Sequence, residues 1–476
     1  MNRRAFLRTL TALGASTAVS RALANDYAIT SKASGLRETS IAVEARAVLL
    51  DQVQYVRPAV LPKIINVFLY GGPSELAGNL TNIADINFYS QNPYPVTLQP
   101  NVAGSVYTRN GFWNNAGGNL MESMLAANDL SIYRTINRVR DDNKAHGRSI
   151  LQNLVGNADV GNPGIARTLA GVLAAHGAFG ARDLNTLFLP FVSFEGQSRI
   201  YSDGDTPTLI PSAVMPIALD PNMASNPYQR AANSVLPEGS VDNINLEALA
   251  VNVTAAYGQR YSEMSRSLAN RAKLDQYVLN QFNRTMVDAA LPVGVVYANT
   301  QLGRALKAAV SLMLMNPDTL FIAINGAGPG WDDHNIAVTH YPVRMNDLMS
   351  ALSSAMAHLR ARNRNDIIIN VYGEFGRNVN LNDNLGWDHG NNQNFYTLGG
   401  AGIPGRSLGK LVGETQRIGT NYANRQYTSP TSGSYQCEPF AIAASVYKYF
   451  GVQNPEVLTG GVSAIDEVTP LNLRVV

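Results

Sequence analysis

Cysteine is nearly absent from this 476-residue chain. With Cys437 alone, no intramolecular disulfide can form, and stability must come from a packed core. Charge is sparse as well. Asp, Glu, Lys and Arg make up 15% of the residues and balance to a net +2, which excludes the basic surface that nucleic acid or an anionic membrane requires. No apolar run is long enough to cross a bilayer, and no repeat at solenoid or propeller spacing is present. Histidine is scarce, six in all, so the places where those six fall carry information. What the chain does have is 45% hydrophobic residues, undivided by any charge run or low-complexity tract. That composition fits one large globular unit with a substantial core.

The first residues carry an address. Asn2, Arg3, Arg4, Ala5, Phe6, Leu7 and Arg8 form a twin-arginine box, followed by a mildly apolar stretch over 7–19 and the small-residue site Ala22, Leu23, Ala24. The stretch is too short to span a membrane and a cleavage site follows it, so residues 1–24 read as a twin-arginine signal peptide. The twin-arginine translocase is then a partner during export, and the mature protein is expected in the periplasm or outside the cell, without a stable membrane span. That route moves folded proteins, which suits a fold that closes without a disulfide. Residues 25–62 lack sustained periodicity and read as a lead-in, leaving 63–476 for the folded domain.

Short β-branched apolar runs mark strands at 63–72 (KIINVFLYGG), 130–136 (LSIYRTI), 185–194 (NTLFLPFVSF), 319–325 (TLFIAIN) and 366–372 (DIIINVY). Between the last two, Met345, Leu348, Met349, Leu352, Ala355, Met356 and Leu359 keep the spacing of one apolar helix face. Strand, helix, strand implies a right-handed parallel crossover. Residues 301–315, apolar nearly all round, predict a buried helix, 246–282 return to helical patterning, and 438–451 predict a closing amphipathic helix stopped at Gly451. Pro, Asn and Ser crowd 203–239, which reads as an irregular insertion able to serve as a lid or binding loop.

Chemistry collects around the last two of these strands. A WDDH cluster (Trp331, Asp332, Asp333, His334), GEFGR (373–377) and WDHG (387–390) follow in turn, each at or beyond the end of an apolar run. In open α/β sheets, ligands gather outside the carboxyl ends of the strands. Asp, Glu and neutral His supply the oxygen and nitrogen donors that a divalent ion takes. Asp332, Asp333, His334, Glu374, Asp388 and His389 are therefore candidate metal ligands. Without a cation, adjacent carboxylates at 332 and 333 would repel one another or raise a pKa. Glu374 and Arg377 also admit a plain ion pair bracing a strand end, and Asp388 with His389 a pair that orients ligands. Asp141, Asp142, His146 and Arg148 can reach the site from a neighbouring loop, although a polar helix start accounts for the same residues. His340 and His358 have no acidic cluster beside them and read as surface residues, and His176 in its alanine-rich stretch reads as structural.

In that order and near these separations, GWDDH, YGEFGR and GWDHG resemble the D-T-H, S-E-F-G-R and D-H-G segments of the domain-of-unknown-function 1501 family, within the alkaline-phosphatase-like superfamily. FLYGGPSEL (68–76) resembles the GGPSQ-type segment after that family's first core strand, and His146 in KAHGRS a histidine-containing segment of its middle. The resemblance implies an alkaline-phosphatase-like α/β fold, with a mostly parallel central sheet and helices on both faces. It also implies metal-assisted hydrolysis or transfer of a small anionic ester, phosphate or sulfate. On that reading Asp332, His334, Asp388 and His389 hold one or two divalent ions (Zn, Mg, Mn or Ca), Glu374 ligates or orients, and Arg377 neutralises the substrate anion. Ser74, exposed by the turn at Gly71, Gly72 and Pro73, or water then attacks. A turn serine capping the next segment explains Ser74 equally simply, and it lies outside any GxSxG elbow. Ala77, Gly78 and Asn79 stand where the family usually carries an aspartate, Gly373 replaces the serine before EFGR, and Asp333 the threonine of D-T-H. Ala77 and the missing aspartate motivate the alternative: a non-catalytic envelope or cell-surface protein that keeps the fold and serves binding or assembly.

Overall fold

In the computed structural model every residue of strand β1 (Lys63–Leu69) is buried. Ile65, Val67 and Leu69 face one core, and Ile64 and Phe68 the other. Alternation between two apolar faces is what a strand covered on both sides requires. The structure describes residues 50–73, 94, 107–141, 144–182, 186–195, 198–204, 217–219, 274, 277, 278, 280–326, 330–418 and 427–469. Outside them lie the twin-arginine segment, the lead-in before residue 50, Ser74, residues 77–79 and most of 203–239 and 246–282.

The central sheet has eight strands. Their order is β10 (Leu411–Val412), β2 (Leu130–Asn137), β9 (Asn392–Gly399), β6 (Ile367–Gly373), β1, β5 (Phe321–Asn325), β3 (Phe191–Ser193) and β4 (Ile217–Ala218). Neighbours run parallel except at β9, which is antiparallel to both β2 and β6. The exception has a local cause. Between β6 and β9 the chain makes a small antiparallel hairpin, β7 (Arg377–Leu381) with β8 (Trp387–His389), and no crossover helix. On the Ile65 face pack α1 (Gly118–Ala126), α4 (Arg284–Ala289), α5 (Gln301–Met315) and α6 (Ala337–Ala361). On the Ile64 face pack α2 (His146–Val155), α3 (Ile165–Ala175) and α7 (Phe440–Tyr449). The expected α/β class, mostly parallel sheet and two helical layers are all present. No helix among the described residues is long and apolar enough to cross a membrane.

One strand is shorter than its apolar run. Of the described residues 186–194 only Phe191–Ser193 joins the sheet, because Leu189 adopts a left-handed φ of 52° and Pro190 has no N–H to give a ladder.

His358 also departs from its sequence reading. It is buried on α6, with Nδ1 3.2 Å from the Tyr297 hydroxyl. Burial, reinforced by Arg362, pulls its pKa down to about 4. An unfolded histidine titrates near 6.5, so between those values the unfolded chain binds the extra proton and stability falls as pH drops. The loss through this residue is on the order of 3 kcal/mol, absent above about pH 6.5 and complete near pH 4. His358→Gln is expected to flatten the dependence of the urea midpoint over that range. An unchanged slope would contradict the assignment.

Candidate metal centre

Several loops meet beyond the carboxyl ends of β1, β5 and β6. Gly71, just after β1, sits at φ +109°, and a Cβ there would lie 2.2 Å from the backbone nitrogen of Asp332. Only glycine lets the first loop run directly against the second. The two tryptophans of the WDDH and WDHG motifs are anchors. Both are fully buried and pack edge-on against Tyr341, with Trp331 Nε1 donating to Gly326 O at 2.9 Å and Trp387 Nε1 to the Tyr94 hydroxyl at 2.5 Å. Fixing these rings fixes the Asp and His residues that follow them. The β7–β8 hairpin then pairs Arg377 with His389.

His146, Asp332, His334 and His389 each bring one ligand atom within 4.8 Å of the others. His334 Nε2 lies 3.0 Å from His389 Nε2 and 3.2 Å from Asp332 Oδ1, and that oxygen is 3.5 Å from His146 Nε2. Ligands bound at about 2.0–2.1 Å to a tetrahedral ion stand ~3.3 Å apart, so these separations bracket the required spacing.

The other ring nitrogens are committed. His389 Nδ1 faces the Lys144 carbonyl at 2.6 Å, His334 Nδ1 faces Asp388 Oδ1 at 3.2 Å, and His146 Nδ1 faces Glu374 Oε2 at 3.0 Å. A carbonyl can only accept, so in His389 the proton sits on Nδ1 and Nε2 turns a lone pair inward, while the Asp388 carboxylate draws a proton to His334 Nδ1. His334 Nε2 and His389 Nε2 face each other at 3.0 Å beside the Asp332 carboxylate, donors that a shared cation would draw together. The donor set therefore fits a divalent metal, with the orienting carboxylates that such histidines usually have.

Charge supports the same arrangement. Burial, with Arg377 nearby, pulls the His389 pKa down to about 4, so its ring is neutral at pH 7. Burial pushes Asp332 up, but Arg377, donating from Nη2 at 2.6 Å, outweighs it with help from His334 and His146 and holds the carboxyl below its usual range. Burial raises Glu374, opposed by the Gly71 N–H and by His146. Phe375, fully buried, packs against the rings of both His146 and His389 and holds their planes.

The candidates from the sequence divide accordingly. Asp332, His334 and His389 converge. Glu374 and Asp388 stand behind the histidines, in the orienting place that the sequence reading leaves open to them beside the ligand role. Asp333 does not join them. It turns away, buried and paired with Arg344 of α6, and burial raises its pKa against that partner. The expected clash of adjacent carboxylates is thus resolved by divergence. Arg377 is not a guanidinium offered to substrate, because it is fully buried. Its Nε donates to Gly72 O at 2.7 Å and Nη1 to Trp387 O at 2.9 Å, while Nη2 reaches Asp332, Trp331 O and Gly71 O. Nη1 also lies 3.3 Å from His334 Nε2. The residue clamps four backbone carbonyls under the cluster. Ser74 lies outside the described residues. His146, left out of the ligand set by sequence, stands in the cluster with Asp332, His334 and His389. Its rarity and its place just after two aspartates were the available signals.

Beside the cluster a cleft of about 540 Å³ opens, lined by His146 and Asp332 together with Tyr70, Glu195 and Asn325. His146 and Asp332 line the cleft and are partly exposed, so a ligand there can reach them, and His334 is partly exposed beside them.

The profile of a protein family described as "Protein of unknown function (DUF1501)" matches residues 62–468. No curated protein matches the chain. Among solved structures, Ps i-CgsB in complex with k-i-k-neocarrahexaose is 10% identical, covering 83% of this chain and 74% of that one, at a TM-score of 0.34. Alkaline phosphatase from the Antarctic bacterium TAB5 is 12% identical, covering 71% and 92%, at 0.29. The PsFucS1 sulfatase from Pseudoalteromonas sp. is 10% identical, covering 90% and 75%, at 0.30. Likeness at these scores is too loose to carry an activity across.

Proposed function

Because the chain belongs to the DUF1501 family, whose description names no reaction, we propose from the site itself that it is an exported, metal-dependent hydrolase or transferase acting on a phosphate or sulfate ester. The observation that carries this reading is the pair of ring nitrogens facing each other at 3.0 Å beside a carboxylate, at the mouth of a cleft. His146, Asp332, His334 and His389 would hold the ion, and its identity among Zn, Mg, Mn and Ca is left to experiment. A divalent cation there supplies Lewis-acid polarisation of an ester oxygen and offsets charge gained in the transition state.

The chain's own residues do the rest. Glu374, Asp388 and the Lys144 carbonyl keep the three rings aimed inward, and Arg377 keeps Asp332 ionised and in place. Ser74, next after the turn formed by Gly71, Gly72 and Pro73, is the proposed nucleophile, with water as the other choice. Export by the twin-arginine route to the periplasm or beyond rests on the Arg3, Arg4 box.

A second reading draws on Arg377, which already neutralises Asp332 and lies near His334 Nε2. Together with Ala77 it favours a non-catalytic envelope protein that binds or assembles through this cleft. A screen of 4-nitrophenyl phosphate and sulfate with each cation, on chelated and reloaded protein, separates the two. Turnover restored by one cation and abolished in His389→Ala is the expected result, and Ser74→Ala then tells serine attack from water attack. Full metal loading with no turnover of any phosphate or sulfate ester would leave the binding reading standing in its place.

A further inference from the structure

The cleft that His146 and Asp332 line also holds a carboxyl group that the cluster does not use, that of Glu195. The sheet order sets β5 between β1 and β3, so the carboxyl ends of three parallel strands share one rim. Tyr70 follows β1, Asn325 ends β5, and Glu195 lies two residues beyond β3. All three line the cleft that His146 and Asp332 also line. Phe194 N donates to Ala323 O at 2.8 Å, which fixes the backbone as it leaves the sheet. The Tyr70 hydroxyl donates to Glu195 Oε2 at 3.4 Å, and Ser198 bonds the same carboxyl from the turn that follows.

We infer that Glu195 is a further catalytic residue, the general acid that protonates the leaving oxygen of the ester, and that Tyr70 positions it. This rests on the metal-dependent reading given above. An ionised carboxylate in this cleft would repel the anionic ester that the cation attracts, whereas an uncharged acid donates to it. Burial raises the Glu195 carboxyl, against the two hydroxyls that favour its ionised form. With Tyr70 and Ser198 both donating inward, the proton on the acid form has the cleft as its outlet.

The step balances. As the bond from the bridging oxygen to phosphorus or sulfur breaks, its electron pair stays on oxygen, which takes the proton of Glu195 and leaves as the alcohol. The incoming serine hydroxyl or water forms the new bond and gives up one proton to solvent, and solvent reprotonates Glu195. No motif marks this residue, which stands in an ordinary FEGQSR stretch.

The test compares metal-loaded wild-type protein and Glu195→Gln on two esters of the same acid: a 4-nitrophenyl ester, whose leaving group needs no proton, and a glycerol ester, whose leaving group does. The variant is expected to lose about 10²-fold or more in kcat/KM on the glycerol ester, and at least about tenfold less than that on the aryl ester. Tyr70→Phe, which removes one hydroxyl, is expected to shift the ratio the same way, and it serves if Glu195→Gln does not fold. Equal losses on both esters, with wild-type activity intact, would overturn this role and leave the metal-dependent reading in place. A wild-type protein that turns over neither ester with any cation removes both.

Discussion

Arg377→Met is expected to unfold at markedly lower urea than the wild type, with a loss of about 3–5 kcal/mol. The side chain is wholly buried and supplies donors to the carbonyls of Gly71, Gly72, Trp331 and Trp387 and to Asp332. Methionine fills most of the volume but leaves those acceptors unpaired and Asp332 without its counter-charge. Against a net stability of about 5–15 kcal/mol, such a loss brings the fold close to its limit. Arg377→Lys keeps the charge but not the planar fork, so it is expected to fall between the two. A loss below about 1 kcal/mol for the methionine variant would contradict the buried clamp and favour the anion-binding role that the sequence also allows Arg377.

His334→Ala is expected to weaken divalent-metal binding by well over 100-fold, because it deletes a ligand atom and leaves the facing nitrogen of His389 with one partner fewer. Asp388→Asn removes only the group behind His334, and its expected loss is about 10–100-fold. The gradient between the two carries the argument. If Asp388→Asn loses as much as His334→Ala in isothermal titration, Asp388 binds the ion itself, as the sequence reading has it.

Much of the framework is legible in the chain. The β-branched runs at 63–69 and 367–373 alternate their side chains as buried parallel strands do, and the spacing from Met345 to Leu359 is that of a helix lying on the sheet. The order of WDDH, GEFGR and WDHG marks the correct end of the sheet, because strand ends in this topology share one edge. What sequence spacing cannot give is direction. Asp332 and Asp333 are neighbours on the chain and face opposite ways, one to the histidines and one to Arg344. His146 meets Glu374 across 228 positions, and Glu195 meets Tyr70 across 125, contacts that no local pattern encodes. The antiparallel course of β9 is set by the hairpin before it, which the pattern of its own apolar residues does not reveal. His358 stands next to Leu359 at the margin of an apolar helix face, where Tyr297, distant in the chain, meets it.

The most direct test is the metal content of purified mature protein, by elemental analysis after dialysis and by titration of the chelated chain with Zn, Mg, Mn and Ca. The expected result is about one divalent ion per chain, with absorption-edge spectroscopy giving nitrogen and oxygen ligands at about 2.0–2.1 Å. A chain that retains no stoichiometric metal, and whose thermal midpoint moves with none of the four cations, would contradict the account.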